Sequence, residues 1–344
     1  MADRRAIGIV GLGMASLPHG KSLLDLADRV EVRAAFSPSA TRRDAFAQRF
    51  AMPIADRLDD LLNDPEISAV LLLTPPNARQ ELVHALAARG KHILMEKPIE
   101  RSTAAALDIV DRCDQAGIRL GMVFQHRFRK ASMALQARLK AGELGGVRAV
   151  QLNVPWWRPQ SYYDEPGRGT YARDGGGVLM SQAIHSLDLM LSLAGPVTEV
   201  AAMAATTGLH RMESEDFVGA GLRFESGAVG SFAATTACYP GGIESLIIVG
   251  DKGTAILAGS DLTLDFQDGQ KEHVSETAGS GGGADPMAFP HHGHRRLIES
   301  FLDALDQNRE PSPSGREALL VHRLIDALLL SAKERRHVRL EETS

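Results

Sequence analysis

The chain has 344 residues, 44% of them hydrophobic and 24% charged, with a formal net charge of -5. This is the composition of a globular protein long enough for two cores, and it excludes a disordered or fibrous chain. The balance of charge gives no field that would gather nucleic acid or an anionic membrane, so the expected partners are small molecules and copies of the chain itself. Cys113 and Cys238 lack metal-ligand spacing, no apolar targeting core opens the sequence, and no apolar run approaches the roughly 18 residues of a membrane span. The expectation is a cytoplasmic protein with free thiols.

Up to residue 124, short apolar runs alternate with stretches that are apolar on one face at spacings of three and four. The runs are AIGIV (6–10), VEVRAAF (30–36), AVLLLT (69–74), HILME (92–96) and RLGMVF (119–124). Strands without polar alternation are covered on both sides, which predicts an open, doubly wound parallel sheet of the Rossmann type over residues 1–124. After residue 126 a helix pattern leads to the strand GVRAVQLNVPWW, an aromatic loop and a long helix pattern, GGVLMSQAIHSLDLMLSLAG. Residues 197–266 then read as consecutive strands with turn signals, and two closing helix patterns follow a glycine-rich loop at 278–286. The second domain, 125–344, is therefore expected to be α+β with a large, mostly antiparallel open sheet, and the closing helices at 294–334 can pack back toward the first domain.

The stretch IGIVGLGMAS puts Gly11, Gly13 and Ser16 in the G-x-G-x-x-G register between a strand and a helix, with Met14 and Ala15 between the last two. The first glycine allows a tight turn, the second a close approach of backbone to pyrophosphate, and helix N-terminal amides hold the phosphates. At the end of the second strand a site for NAD would carry an acid, whereas AAFSPSATRRD offers Ser37, Ser39, Arg42 and Arg43. Hydroxyls and guanidinium forks suit a 2′-phosphate, so NADP(H) is preferred over NAD(H).

In such a sheet ligands bind beyond the carboxyl ends of the strands. Thr74, Pro75 and Asn77 end the third run and Glu96 and Lys97 the fourth, which directs all five to the cofactor crevice. A lysine there, desolvated by apolar walls, can exchange a proton with a substrate hydroxyl; the plainer reading is a strand-end lysine paired with Glu96. FQHRF adds Gln125 and Arg127 at the domain junction. In PWWRPQSYYDEPGRGTYARDGGG, Trp156, Trp157, Tyr162 and Tyr163 can stack on a ring, and Arg158 and Arg168 can fork onto a carboxylate; the same residues would also suit a contact between copies. Behind three glycines, Ser181, His185 and Asp188 recur at four and three residues, a polar row that is costly on an apolar helix unless it meets a ligand or a partner. His291, His292 and His294 complete no recognisable zinc spacing, so no metal is expected, and His294 is assigned to the substrate side.

In this order and at these distances, GLGMAS, TPPN, MEKPI and DGGGVLMSQAIHSLDLM resemble the glucose-fructose oxidoreductase / inositol dehydrogenase / rhizopine catabolism family over essentially the whole chain. The resemblance implies that Lys97 is the catalytic lysine, that Pro98 is the following proline that aims it, and that His185 is the catalytic histidine. It also implies that Ser37 and Arg42 hold the 2′-phosphate. Ser181 departs from the family, where many sugar and inositol dehydrogenases carry aspartate, so His185 lacks a charge partner and Lys97 becomes the main acid or base. The expectation is a dehydrogenase or reductase moving hydride between NADP(H) and a secondary alcohol or ketone of a sugar-like or cyclic hydroxylated substrate, with carboxylated ones included. It would work as a homodimer or homotetramer joined through the C-terminal sheet. The rival is a non-catalytic sensor that binds NADP(H) with the same fold.

Overall fold

A computed structural model describes residues 4–276 and 290–343; the glycine-rich loop at 278–286 lies outside them. The chain divides into two units, the first formed by residues up to Val123 with His291–Leu319, the second by Phe124–Pro290 with residues from Leu320 onward.

The first unit is built on five parallel strands, β1 (Arg5–Val10), β2 (Val30–Phe36), β3 (Ala69–Leu72), β4 (His92–Met95) and β5 (Leu120–Met122), in the order β2-β1-β3-β4-β5. Every residue of β3 is buried, as the unbroken apolar run requires. Helices Ser16–Asp25, Ala40–Phe50, Gln80–Ala87 and Thr103–Gln115 alternate with the strands. Two of these helices start on serine caps: Ser39 accepts from the Arg42 N–H and Ser102 from the Ala105 N–H. Gly20 lets the first helix lie against Phe50, because a Cβ there would come within 2.6 Å of the ring. The helix His292–Asp306 belongs to this unit and is tied by Arg29 to Asp303 (2.7 Å) and by Arg5 to Asp306 (2.6 Å).

The second unit carries nine strands: β6 (Val147–Pro155), β7 (Val197–Ala205), β8 (Phe217–Phe224), β9 (Val229–Thr235), β10 (Ser245–Gly250), β11 (Gly253–Ala258), β12 (Asp261–Phe266), β13 (Lys271–Val274) and β14 (Val338–Arg339). Their order is β13-β12-β11-β10-β6-β9-β8-β7-β14, antiparallel except where β6 pairs with β9. The strands alternate buried and open residues, so one face is covered and the other is not.

The long helix expected from GGVLMSQAIHSLDLMLSLAG is not uniform. Leu179–Ala183 forms a π turn, and the α-helix proper runs over Ile184–Ala194. A π turn holds more residues than an α turn, so Ser181 and His185 do not sit one regular turn apart as the spacing predicts. By length and composition Tyr171–Ala194 could cross a membrane, but 83% of its most apolar window is buried, which is the condition of a core helix.

Candidate functional site

The glycine loop leaves β1 with Gly11 at φ +103°, a backbone conformation that side chains rarely adopt; a Cβ there would lie 2.7 Å from the Leu73 carbonyl carbon. Gly13 differs, since a Cβ on it would meet nothing within 4 Å. Its open surroundings are what an approaching phosphate needs. Ser16, at the third glycine position, is buried and donates to the Gly13 carbonyl at 2.7 Å, closing the loop on itself. At the end of β2, Ser37 is buried, and Arg43 is tied to the Ser37 carbonyl at 2.8 Å. Arg42 is exposed and its guanidinium has no partner among the described residues. Thr74 Oγ1, beyond β3, is a buried hydroxyl with no hydrogen-bond partner among the described residues. An open glycine, an orphaned hydroxyl and a free guanidinium at three neighbouring strand ends fit a dinucleotide.

Lys97 follows β4 and is half-buried, with a cis peptide bond to Pro98. Its backbone N–H donates to Glu96 Oε2 at 3.1 Å, and Glu96 Oε1 meets His19 Nε2 at 3.0 Å. His294 lies edge-on to His19 with ring centres 5.0 Å apart, and both rings are buried. Burial would raise the Glu96 carboxyl. The His19 hydrogen bond and the positive charge of His19, His294 and Lys97 outweigh it and hold the group below its ordinary value. Arg79 is 1% exposed and donates to the carbonyls of Thr74 (3.0 and 2.6 Å), Glu96, Pro98 and Ile99.

In the second unit, Gly175, Gly176 and Gly177 open the helix that carries His185. Glu215, just before β8, holds that opening: its carboxylate accepts from the N–H groups of Gly177 (3.2 Å) and Leu179 (3.1 Å), and its carbonyl accepts from Val178 (2.9 Å). Gly177 has no room for a side chain, since a Cβ would fall 1.8 Å from the Glu215 carbonyl oxygen. Burial pushes the Glu215 carboxyl above its ordinary value despite these bonds. His185 is buried, stacked on His126 at 4.9 Å and edge-on to Phe124 at 6.0 Å. Arg129 contacts His126 Nε2 at 2.6 Å and also pairs with Glu244, whose other oxygen accepts from Ser186 at 2.9 Å. Because a guanidinium can only donate, His126 Nε2 must be an acceptor and its proton sits on Nδ1.

Two family models match this chain: the oxidoreductase family with an NAD-binding Rossmann fold over residues 5–124, and the GFO/IDH/MocA C-terminal domain over residues 132–256. The chain belongs to the Gfo/Idh/MocA oxidoreductase family. Among solved structures it is similar to the WlbA dehydrogenase from Bordetella pertussis in complex with NADH and UDP-GlcNAcA. The two share 29% identity over 98% of this chain and 99% of that one, with a TM-score of 0.84. Curated relatives include the 1,5-anhydro-D-fructose reductase of Ensifer adhaerens, 26% identical over 84% of this chain and 85% of that one. The D-xylose 1-dehydrogenase (NADP(+)) 2 of Haloferax volcanii is 27% identical over 97% of this chain and 98% of that one.

For a Gfo/Idh/MocA chain, the structure distributes the residues singled out in the sequence unevenly. Met14 and Asn77 are exposed beside the glycine loop and the third strand end. Gln125 is half-buried, and its Oε1 has no hydrogen-bond partner among the described residues. Arg127 is engaged by Asp188, with Nε and Nη2 at 2.7 and 2.6 Å from a carboxylate that is fully buried. Asp188 in the polar row therefore meets a protein partner. The aromatic loop packs largely on itself. Tyr163 is buried with its hydroxyl on Thr236 (2.7 Å), Arg158 is buried over the Trp156 and Tyr162 rings, and Arg168 bonds Glu165 and Tyr162 (3.0 Å each). Trp157 is half-buried between His210 and Tyr239. Of the three clustered histidines only His294 is buried; His292 is exposed and His291 pairs with Asp25 at 2.8 Å.

The sequence reading missed Arg79, His19, His126 and Glu215. His19 lies three residues past Ser16 on the first helix, and that spacing from the glycine loop is the one sequence signal that could have singled it out. For Glu215 no local signal exists, since it reaches the helix opening from 36 residues away.

Proposed function

We propose that this chain is an NAD(P)-dependent dehydrogenase or reductase acting on a secondary alcohol or ketone of a sugar-like or cyclic hydroxylated substrate, with NADP(H) preferred. The observation that carries the reading is the half-buried Lys97 at the end of β4, on a turn held from beneath by Glu96 and His19. A bound nicotinamide supplies or accepts the hydride. Lys97 is the group that gives a proton to, or takes one from, the reacting oxygen, and His185 is a hydrogen-bonding group for the substrate. Ser181 offers a hydroxyl where many relatives carry a carboxylate, so the proton work falls to Lys97. Arg42, exposed and unpartnered among the described residues, and the buried Ser37 support the preference for a 2′-phosphate.

Carboxylated sugars and cyclic polyols come first in a substrate screen. The similarity to an enzyme crystallised with UDP-GlcNAcA supports the former, although Arg158 and Arg168 are engaged within their own loop. The test is turnover, followed at the nicotinamide absorbance, with a panel of uronates, aldoses and inositols. The Lys97→Met variant is expected to bind NADPH normally and to turn over at least ~100-fold more slowly, the scale of losing a general acid or base. Unchanged turnover would remove the lysine from the mechanism, and an intact protein that binds NADPH tightly but turns over no substrate would favour the sensor.

The open face of the second sheet exposes Met203 on β7, Phe217 on β8 and Val229 on β9 beside small residues such as Ala201 and Gly221. We infer that copies of the chain associate through it in the cytoplasm, as dimers or tetramers. A Met203→Glu variant should sediment as a smaller species than the wild type; a wild-type protein that is monomeric at micromolar concentration refutes the association.

A further inference from the structure

We propose that Arg79 is a positioning residue for Lys97, forming with Glu96 and His19 a buried cradle that fixes the turn carrying the amine. The proposal rests on the catalytic reading of Lys97 given above. Carbonyls at the end of a strand ordinarily turn to water. Here those of Glu96, Pro98 and Ile99 converge on Arg79 Nη1, while Nε and Nη2 of the same guanidinium hold the Thr74 carbonyl at 3.0 and 2.6 Å. One planar fork thus ties the loop after β3 to the turn after β4, the two strand ends that flank the candidate dinucleotide site.

All of its described hydrogen bonds go to backbone carbonyls and none to a carboxylate, an unusual choice for an arginine 1% exposed. Burial lowers its pKa to about 10, and the nearby charges of Glu96 and Glu100 oppose that shift. A buried charge without an ion pair costs stability, so retaining one suggests a gain elsewhere. That gain is geometric. The carbonyl side of the turn is held by Arg79; the N–H side is held by Glu96 Oε2 on Lys97 N at 3.1 Å, with Glu96 Oε1 fixed by His19 at 3.0 Å. With its main chain held on both sides, the turn that carries the lysine is fixed in place, which is the condition for precise proton transfer.

His19, Glu96 and His294 bring ligand atoms within 4.8 Å of one another, an arrangement that could also hold a divalent cation. Both Glu96 oxygens already accept hydrogen bonds, so we assign the cluster to the cradle.

The test uses Arg79→Lys, which keeps the charge and loses the fork, together with His19→Ala and His19→Gln. Hydrogen exchange, which needs no substrate, should show the amides of Lys97 and Ile99–Arg101 exchanging about ten-fold faster or more in Arg79→Lys and His19→Ala, with the amides of β1 unchanged. With a substrate found in the panel, kcat should fall about ten- to a hundred-fold while KM moves less than about three-fold, and His19→Gln, which retains a donor toward Glu96, should recover most of the loss. If Arg79→Lys does not fold, the two His19 variants carry the test. Exchange and kcat within about two-fold of wild type in the folded variants would overturn the proposal, as would stoichiometric zinc in the protein as isolated. Faster local exchange in the variants, together with a wild type that turns over nothing in the panel, would instead count against the catalytic reading and leave the cradle standing.

Discussion

Replacing Gly177 by alanine is the sharpest probe of how the second unit sets its helix. The added Cβ would fall 1.8 Å from the Glu215 carbonyl oxygen and 2.7 Å from the carbonyl carbon, both of them backbone, so the helix opening must move off the segment before β8. That movement breaks the bonds from the Gly177 and Leu179 N–H groups to the buried Glu215 carboxylate. Hydrogen bonds to a charged, buried acceptor contribute about 1.5–3 kcal/mol apiece, which puts the low end of the loss near about 3 kcal/mol. The unit has roughly 190 residues, and at that size each 1 kcal/mol lowers the melting temperature by about 2–4 °C. A drop of about 6–12 °C is expected. Both tryptophans of the chain, Trp156 and Trp157, lie in this unit, so the thermal transition of tryptophan emission reports on it alone. Gly208→Ala, in the same unit, is the control, because nothing lies within 4 Å of its added Cβ, and its melt should match the wild type. A Gly177→Ala transition within about 2 °C of wild type would refute the docking of Glu215 on the helix opening.

Two further outcomes follow from the first unit. Arg42→Ala should weaken NADPH by about ten- to a hundred-fold, the scale of a charged hydrogen bond, and leave NADH unchanged; equal losses in a fluorescence titration would remove the 2′-phosphate assignment. Glu96 has a folded pKa below its unfolded one, so its contribution to stability is present above the ordinary carboxyl range and is lost as the pH falls through the folded value. The urea midpoint of Glu96→Gln should therefore lie below that of wild type at about pH 7 and converge with it in acid; a constant gap would show that the carboxylate is not what His19 stabilises.

What could be read from the sequence and what could not divides along the range of the interactions. The turn at Gly11 and the place of Lys97 just past β4 are legible because they follow from local order: a strand, a turn and a helix. The antiparallel second sheet is legible in the same way, from alternation and turn residues. The helix behind the three glycines is only half legible. Its apolar period is real, but a spacing argument assumes regular α geometry, and the π turn at Leu179–Ala183 violates it. Arg127 shows a second kind of failure. An arginine near a junction invites a ligand, yet Asp188 lies 61 residues away in sequence and takes both ends of its fork. No local pattern reveals a partner at that separation, and the same holds for Arg79, whose four carbonyls belong to two different strand ends.

Ser181 connects the local chemistry to the long-range packing. Ser181 sits on the widened turn, and the His185 ring stacks on His126 and lies edge-on to Phe124. His126 is itself fixed by Arg129, which Glu244 anchors, and Glu244 also receives Ser186 from the same helix as His185. Aromatic stacking on His126, and through it the network of Arg129 and Glu244, thereby helps to orient the imidazole. The two units therefore hold their candidate residues by different means: the first fixes the turn that carries Lys97 through its main chain, and the second supports the His185 ring by aromatic packing.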